Sequence, residues 1–415
     1  MLLAVGLAGA GASAQSGERA GPVLGPGLPI VDAPPASLRR AHRPPEPCPP
    51  GEAGAQFIVE YIGFPNDARG AFQAAVDTWA CRIETPVPIR IDAQWEGLDE
   101  VTLGSAGPFL HRDFRGAPER GVWYPAALAD LYAGRDLAEA RADIAATFNA
   151  DFDGWHLDVE APPSQGEFDF YTVVLHEIGH GLGLIGGYTV EGGVGTLDDG
   201  EGADGPYVYD VFTVDGRGRS ILRSGLYPSP SGELSAVLRD TVAFDGPAVR
   251  QVYGAAAPLY APRAWVTGGS YSHLDEDAFR QGEPDGLMTP FIRPTETIAE
   301  PGDVTCAMLA DLGWILAGDC AARVGPLPPV PGRLLVFREG PNPFRTSTRL
   351  RAVGSDVLRA ELYDAIGRRV RTLDVRPTSE GAEIEVDGRG LAAGTYLVAI
   401  TDGEASSVVS VVVVR

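Results

Sequence analysis

The sequence is poor in basic residues and in long apolar runs. Lys and Arg total 33 against 56 Asp and Glu, which gives a formal net charge of -23. Binding to nucleic acid needs a basic surface, so this charge argues against that class of function. A surface rich in carboxylates instead fits a soluble extracellular protein. No stretch after the N-terminus reaches the ~18 continuous apolar residues that a membrane helix needs, and the sequence therefore predicts no transmembrane segment.

The N-terminal region is typical of an exported chain. MLLAVGLAGAGASAQ joins a short apolar run to a small-residue Ala-Ser-Ala pattern before Gln15. This arrangement predicts a secretory signal peptide over residues 1–14. Residues 15–55 are rich in Pro, Gly and Ala without sustained periodicity, which predicts an extended leader or pro-segment. We therefore expect a secreted or cell-surface protein.

Cysteine is scarce, with only Cys48, Cys81, Cys306 and Cys320. An even number in an exported chain predicts disulfide bonds. Proximity favours the pairs Cys48–Cys81 and Cys306–Cys320, although four cysteines allow three connectivities. As an alternative, a thiolate at Cys48 in PEPCPP could cap a metal ion and hold an enzyme latent.

The order of the predicted elements divides the chain into two domains. FIVEYIGF and VPIRIDAQWEGL predict strands, DARGAFQAAVDTWACRI predicts a helix, and residues 141–149 predict another helix, so residues 56–322 form an α+β domain. RVGPLPPVPGR, residues 323–333, predicts a proline-rich linker. Residues 334–415 alternate strand-like runs with Gly and Asp turns, which predicts a small all-β sandwich.

The segment EFDFYTVVLHEIGHGLGLIGG is the clearest predicted helix and contains the pattern H-E-x-x-H. His176 and His180 lie four residues apart on one face, so both imidazoles can bind one zinc ion. Glu177 lies at the adjoining edge, where it can act as the general base towards water. Gly183 permits the left-handed turn that ends the helix. The sequence therefore predicts a site for one catalytic zinc.

A catalytic zinc needs a third protein ligand, and the compact metzincin pattern would place a histidine where this chain has Gly186. Of only six histidines, His273 alone follows the helix and is the candidate third ligand. Asp275, Glu276 and His156 remain alternatives. Downstream, Met288 in GLMTP resembles the methionine turn that lies under a metzincin zinc site, although a methionine there could simply be core packing.

HEIGHGLG, a long insertion over residues 184–272, a lone histidine and a methionine turn together resemble the leishmanolysin-like metzincins. The resemblance spans roughly residues 56–320 and is specific only around the helix and the His–Met segment. It implies a metzincin-like zinc protease domain with His176, His180 and His273 as ligands and Glu177 as base. It also implies that Gly183 ends the helix and that Met288 is the turn methionine. The tyrosine that some metzincins carry two residues after this methionine is replaced by Pro290.

These features predict a secreted zinc metalloendopeptidase that acts on proteins or peptides. Two alternatives remain, namely an inactive surface adhesin on a protease fold and a zinc hydrolase of a non-peptide bond. The intact Glu177 argues against the adhesin, because a binding protein has no need of a base beside the metal. The acidic stretch EGGVGTLDDGEGADG could bind calcium, but it lacks EF-hand spacing and is better interpreted as a surface loop.

The C-terminal region carries a second resemblance. GPNPFRTSTRLR, AELYDAIGRRVRTL and LAAGTYLVAITDG follow one another in the order typical of type IX secretion sorting domains. This resemblance implies that residues 334–415 interact with the type IX secretion machinery and direct export across the outer membrane. The alternative is a β-sandwich that binds carbohydrate or protein and remains attached to the mature enzyme.

Overall fold

The computed structural model describes most of the chain after residue 53. It covers residues 23–26, 54–99, 102–139, 141–197, 205–280, 282–325, 334–354, 359–378, 381–401 and 406–415. The predicted signal peptide over residues 1–14 lies outside these ranges, as does Cys48 with its two alternative roles.

Helices are interspersed among strands up to residue 325, and only strands follow among the residues described beyond it. The helices are α1 Asn66–Ala80, α2 Ala126–Ala133, α3 Phe170–Gly181, α4 Gly232–Val237, α5 Pro247–Tyr253, α6 Asp303–Leu312 and α7 Gly318–Val324, with 3-10 helices at Val208–Phe212 and Pro284–Gly286. The strands are β1 Val23–Pro26, β2 Phe57–Ile62, β3 Ile83–Glu84, β4 Ile89–Glu96, β5 Gly104–Pro108, β6 Leu110–Arg112, β7 Trp123–Pro125, β8 Ile144–Asn149, β9 Trp155–His156, β10 Phe168–Asp169, β11 Tyr188–Glu191, β12 Val194–Leu197, β13 Thr213–Asp215, β14 Val242–Phe244, β15 Ala257–Pro258, β16 Phe291–Ile292, β17 Ile315–Leu316, β18 Leu334–Arg338, β19 Ser347–Gly354, β20 Arg359–Asp364, β21 Arg369–Leu373, β22 Val375–Thr378, β23 Gly381–Asp387, β24 Gly394–Thr401 and β25 Ser406–Val413.

The main sheet has six strands in the order β16-β1-β5-β8-β4-β2. β2, β4 and β8 run parallel, whereas β5 runs antiparallel to both β8 and β1. β4 carries Ile89, Ile91 and Ala93 on its buried face, which is the alternation that the sequence predicts for this strand. The two predicted strands that flank α1 are confirmed as β2 and β4.

The helix predicted for residues 141–149 is wrong, because Ile144–Asn149 form strand β8 in the centre of the main sheet. Ile144, Ala146 and Phe148 alternate on its buried face, and its backbone pairs with β4 on one side and β5 on the other. Alanine-rich residues have a weak strand propensity, and pairing with two neighbouring strands overrides it here.

Helix α1 packs against α3 and confirms its predicted apolar spacing. Phe72, Ala75, Val76 and Trp79 are all buried. The indole Nε1 of Trp79 donates to the carbonyl of Leu175 on α3 at 2.9 Å. Each helix therefore buries its apolar stripe against the other, and the indole bond fixes their relative position.

Residues 184–272 form the insertion between α3 and His273, and the structure describes all of them except 198–204. They contain the β11–β12 hairpin, a three-stranded sheet β13-β14-β15 and helices α4 and α5. The acidic stretch predicted to be a surface loop begins inside this hairpin, because Glu191 to Leu197 belong to it. Residues 198–204, which hold most of its carboxylates, lie outside the described residues.

The last two helices of this region are covalently joined. Cys306 on α6 and Cys320 on α7 form a disulfide bond, as predicted from their proximity in sequence. Cys81 is also disulfide-bonded. The domain boundary predicted at residue 322 falls inside α7, which continues to Val324.

Strands β18–β25 form two four-stranded sheets, β18-β19-β23-β22 and β21-β20-β24-β25. One apolar cluster draws buried side chains from both sheets, including Leu350, Leu362, Ile384 and Val398. Its members are separate from the apolar cluster that surrounds α1 and α3. The all-β character predicted for this region matches every element that the structure describes there.

Candidate metal centre

Helix α3 is defined by signals at both of its ends. Asp169 is the N-cap, and its carboxylate accepts from the backbone N–H of Thr172 at 3.2 Å. At the other end Gly183 has φ +113°, a conformation that glycine adopts without a steric penalty. A Cβ at this position would also come within 2.6 Å of Pro125 Cγ. Gly183 therefore allows the chain to leave the helix immediately after His180.

Three imidazoles converge at one point. The Nε2 atom of His180 lies 2.9 Å from that of His176 and 3.1 Å from that of His273, and the remaining pair is 3.2 Å apart. All three side chains are buried. His176 and His180 come from α3, whereas His273 is 93 residues beyond His180 in the chain. The structure thus brings together the three histidines that the sequence singled out.

The other nitrogen of each ring bonds to a backbone carbonyl. Nδ1 of His176 donates to Leu287 O at 2.6 Å and Nδ1 of His180 to Leu184 O at 2.6 Å. Nδ1 of His273 donates to Gly269 O at 2.8 Å. Because a carbonyl only accepts, the proton of each neutral ring is on Nδ1 and the Nε2 lone pair is directed to the common point.

This donor set fits a zinc ion. Three nitrogens bound tetrahedrally at about 2.0–2.1 Å lie ~3.3 Å apart, close to the spacing of the three Nε2 atoms. Burial lowers the pKa of His176 to about 4 and lowers those of His180 and His273 well below the usual value. The rings are therefore neutral at pH 7, which is the form that binds a metal. Three neutral lone pairs in close contact repel one another, and a shared cation would relieve that repulsion.

Glu177 follows His176 on α3, and its side chain is fully buried. Met288 packs against the same helix. A Cβ built on Gly179, between the two helical histidines, would meet Met288 Sδ at 2.9 Å. The carbonyl of Met288 also accepts from the N–H of Leu274, directly after His273, at 2.8 Å. Met288 is therefore buried against α3 and bonded to the segment of the third histidine.

The side chains proposed as alternative third ligands make other interactions. Asp275 accepts from the backbone N–H groups of Asp277 and Ala278 at 3.0 and 3.1 Å, and so caps a turn. Glu276 accepts from Phe291 N at 3.2 Å. None of the alternatives belongs to the cluster of possible metal ligands found among the described residues.

His156, the remaining alternative, bonds through its ring to nearby backbone. Its Nε2 lies 2.8 Å from the carbonyl oxygens of both Asp158 and Ala161. Its Nδ1 lies 3.3 Å from a carboxylate oxygen of Glu167. Both ring nitrogens are therefore engaged away from the three histidines.

Gly186, where the compact pattern has its third histidine, has no room for a side chain. A Cβ there would lie 2.1 Å from Tyr271 Cε1 and 2.7 Å from Asp210 Oδ1. The carboxylate and the ring that fill this space both belong to the insertion, and the ring lies two residues before His273. The departure from the compact pattern therefore has a steric reason.

Asp210 and Tyr271 were not identified from the sequence. Both are buried, and Tyr271 Oη donates to Asp210 Oδ1 at 2.7 Å. Burial raises the pKa of Asp210 to about 7, and the hydrogen bonds from Tyr271 and Gly187 oppose that rise. The signal available in the sequence is one acidic residue inside the apolar run PYVYDVF, since a buried carboxylate requires partners.

The predicted leader contributes strand β1 to the main sheet, between β16 and β5. Val23 and Leu24 pair antiparallel with Ser105 and Gly104 of β5. On its other side β1 pairs parallel with β16, where Gly25 lies opposite Phe291. β5 packs on α3, and β16 begins three residues after Met288. We call this position between β5 and β16 the strand slot.

Comparison with known families identifies the C-terminal region. Residues 341–415 match the family described as secretion system C-terminal sorting domain. The match begins a few residues after the predicted start at 334 and leaves out β18. No curated protein and no solved structure matches the chain.

The family match establishes where the protein goes. A chain with this domain is exported by the type IX secretion system to the cell surface or the extracellular space, and it interacts with the secretion machinery on the way. Among the described residues, no helix combines the length and the apolar character needed to cross a membrane.

Proposed function

We propose that the exported chain is a zinc-dependent endopeptidase whose α+β domain has a metzincin-like fold. The observation that carries the proposal is the convergence of the Nε2 atoms of His176, His180 and His273 within 3.2 Å of one another. All three imidazoles are buried, and each is fixed by a backbone carbonyl. Such an arrangement leaves one tetrahedral position open to solvent or substrate.

A zinc ion held there would lower the pKa of a coordinated water towards ~7 and polarise a substrate carbonyl. Glu177 is the acid–base group of the proposal. Its carboxylate accepts a proton from the attacking water and delivers that proton to the leaving amine. Helix α3 holds Glu177 and both helical ligands on one rigid element, which keeps base and ligands in a fixed relation.

The strand slot supports a polypeptide substrate over a non-peptide one. Residues 23–26 show that an extended backbone fits between β5 and β16, with ladder pairing on both sides. Pairing of this kind depends on the main chain, so it accepts varied sequences in an extended conformation. A hydrolase of a small non-peptide bond has no need of such an edge. The alternative of an inactive adhesin leaves the buried Glu177 without a role.

Zinc content and casein hydrolysis of four purified proteins test the proposal. Wild type should hold one zinc and cleave casein. His273→Ala should lose zinc and activity together, because two ligands remain. Glu177→Gln should keep zinc and lose nearly all turnover. His156→Ala is the matched control, since its ring bonds Asp158 O and Ala161 O away from the cluster, and it should behave as wild type.

Two outcomes would contradict the proposal. A wild-type protein that binds zinc but cleaves no peptide in a diverse library favours the adhesin or the non-peptide hydrolase. A Glu177→Gln protein that cleaves casein at the wild-type rate removes Glu177 from the mechanism.

A further inference from the structure

The third histidine reaches the site from a segment with an unusual backbone. Tyr271, two residues before His273, has φ +74°. An aromatic side chain seldom adopts this left-handed conformation, which persists only where the surroundings impose it. Backbone bonds fix both sides of the segment, because Tyr271 N donates to Tyr260 O at 2.8 Å and Tyr260 N to His273 O at 2.9 Å. These bonds fix the backbone of the segment but do not hold the Tyr271 side chain.

A buried carboxylate supplies that anchor. Asp210 accepts from Tyr271 Oη at 2.7 Å, from Tyr207 N at 2.8 Å and from Gly187 N at 3.1 Å. Thr213 Oγ1 lies 3.0 Å from the same tyrosine hydroxyl. Asp210 and Tyr271 are fully or almost fully buried. Buried polar groups that satisfy one another in this way specify a single geometry.

The carboxylate of Asp210 also binds the segment that follows helix α3. Gly187 follows α3 by six residues, and its N–H faces both oxygens of Asp210 at 3.1 Å. Beside it, Gly186 N donates to Ser272 Oγ at 3.1 Å. The segment after His180 and the segment before His273 are therefore joined at two points. Asp210 belongs to neither segment and connects them from within the insertion.

We propose that Asp210, acting through the Tyr271 hydroxyl, is a positioning residue that sets His273 at the distance from His176 and His180 that a metal ion requires. The insertion thereby places the third histidine, which in the compact motif is placed by a short loop. The inference rests on the proposed zinc site and goes beyond it by assigning a role to residues that are not ligands. Groups behind metal ligands typically change metal affinity by about 10–100-fold when they are replaced.

The test measures zinc affinity of the full chain by competition with a chromophoric chelator. Tyr271→Phe removes one oxygen and keeps the ring, and Asp210→Asn keeps the shape of the side chain. Each should weaken zinc binding by about tenfold or more. The double variant should resemble the single variant with the lower zinc affinity, because both changes disrupt the same hydrogen-bonded group around Asp210.

Two control variants separate positioning from general destabilisation. Tyr124→Phe removes a buried hydroxyl that accepts from Glu119 N at 3.0 Å. Asp311→Asn alters a largely buried carboxylate that accepts from Ala248 N and Val249 N at 2.8 and 3.0 Å. Both should lower the melting temperature of the metal-free protein and leave zinc affinity unchanged. In the Tyr271 and Asp210 variants, the rise in melting temperature on adding zinc should shrink as well.

The outcomes distinguish this inference from the proposed function. If wild type binds zinc through His273 and both variants bind it equally tightly, the positioning role of Asp210 is wrong and the zinc site stands. If wild type fails to bind zinc, both proposals fall. Should one of these two variants not fold, the other decides the question, because Tyr271→Phe and Asp210→Asn each disrupt the Tyr271–Asp210 contact from one side. Unchanged zinc affinity in that folded variant would overturn the inference.

Discussion

At the scale of single residues, Gly186 is where this chain departs most clearly from the compact zinc motif. The ring of Tyr271 and the carboxylate of Asp210 occupy the space that its side chain would need. The proposed third ligand, His273, comes instead much later in the chain. A histidine at 186 would therefore meet a filled space and could not serve as a replacement ligand.

We predict that Gly186→His destabilises the protein and does not rescue zinc binding in a His273→Ala background. Overpacking a filled site costs about 1–3 kcal/mol, and here two buried partners must move. Thermal unfolding of the purified variants measures the cost. Gly70→Ala is the matched control, because a Cβ there meets nothing within 4 Å and alanine favours the α1 helix. A Gly186→His protein with the wild-type melting temperature would contradict the steric argument.

Glu296 makes stability depend on pH. Its carboxyl is buried and accepts from Gly282 N at 2.7 Å and Arg293 N at 3.0 Å. Burial raises its pKa from 4.5 to about 7. Between these two values the folded state binds more protons than the unfolded state. The stability due to this group is therefore complete below about pH 4.5 and is lost as the pH rises through 7.

We predict that Glu296→Gln flattens this part of the pH profile. Relative to the variant, wild type should lose roughly 2 kcal/mol of unfolding free energy between pH 5 and pH 8. Urea unfolding at a series of pH values measures the difference. Equal pH slopes in the two proteins would show that the folded-state pKa of Glu296 is close to its unfolded value.

At the scale of elements, a strand of the predicted leader occupies the strand slot. β1 lies between β5 and β16 and pairs with both through its backbone. A substrate that binds there as an extended strand would compete with residues 23–26. On the proposed function, the leader predicted as a pro-segment would therefore inhibit by strand pairing, without need of a cysteine.

We predict that deleting residues 15–47, which retains Cys48, raises the rate of peptide cleavage several-fold. A synthetic peptide spanning residues 20–29 should then inhibit the shortened enzyme competitively, whereas a scrambled peptide should inhibit it less. Fluorogenic peptide hydrolysis gives both results. Equal cleavage rates for the full and the shortened chain would show that the leader does not block the slot.

At the scale of the whole molecule, the sorting domain determines where the proposed enzyme acts. Residues 341–415 match the sorting domain. They supply most of a separate apolar cluster that lies within two four-stranded sheets. We predict that deleting them leaves the protein inside the outer membrane of a bacterium with a type IX system. The same residues fused to a periplasmic reporter should direct the reporter outside. Immunoblots of medium, surface and periplasm distinguish these locations, and export of the shortened chain would contradict the assignment.

The sequence by itself predicted the local features that depend on spacing. His176, Glu177 and His180 lie on one helix, and the two histidines share a face of it because they are four residues apart. The left-handed backbone of Gly183 allows the chain to leave that helix. Cys306 and Cys320 pair, and the sorting domain is recognisable from its own turns and strands. Each of these features is specified within a short stretch of chain, so neighbouring residues suffice to define it.

Only the tertiary structure decided the features that depend on distant segments. Ile144–Asn149 became a strand because β4 and β5 flank them, and no local pattern contains those neighbours. The approach of His273 to α3 depends on Asp210 and Tyr271, which meet across the insertion. The pairing of β1 with β5 joins residues that are far apart in the chain. Such contacts form because burial and hydrogen bonding are satisfied over the whole fold, and one stretch of sequence does not specify both partners.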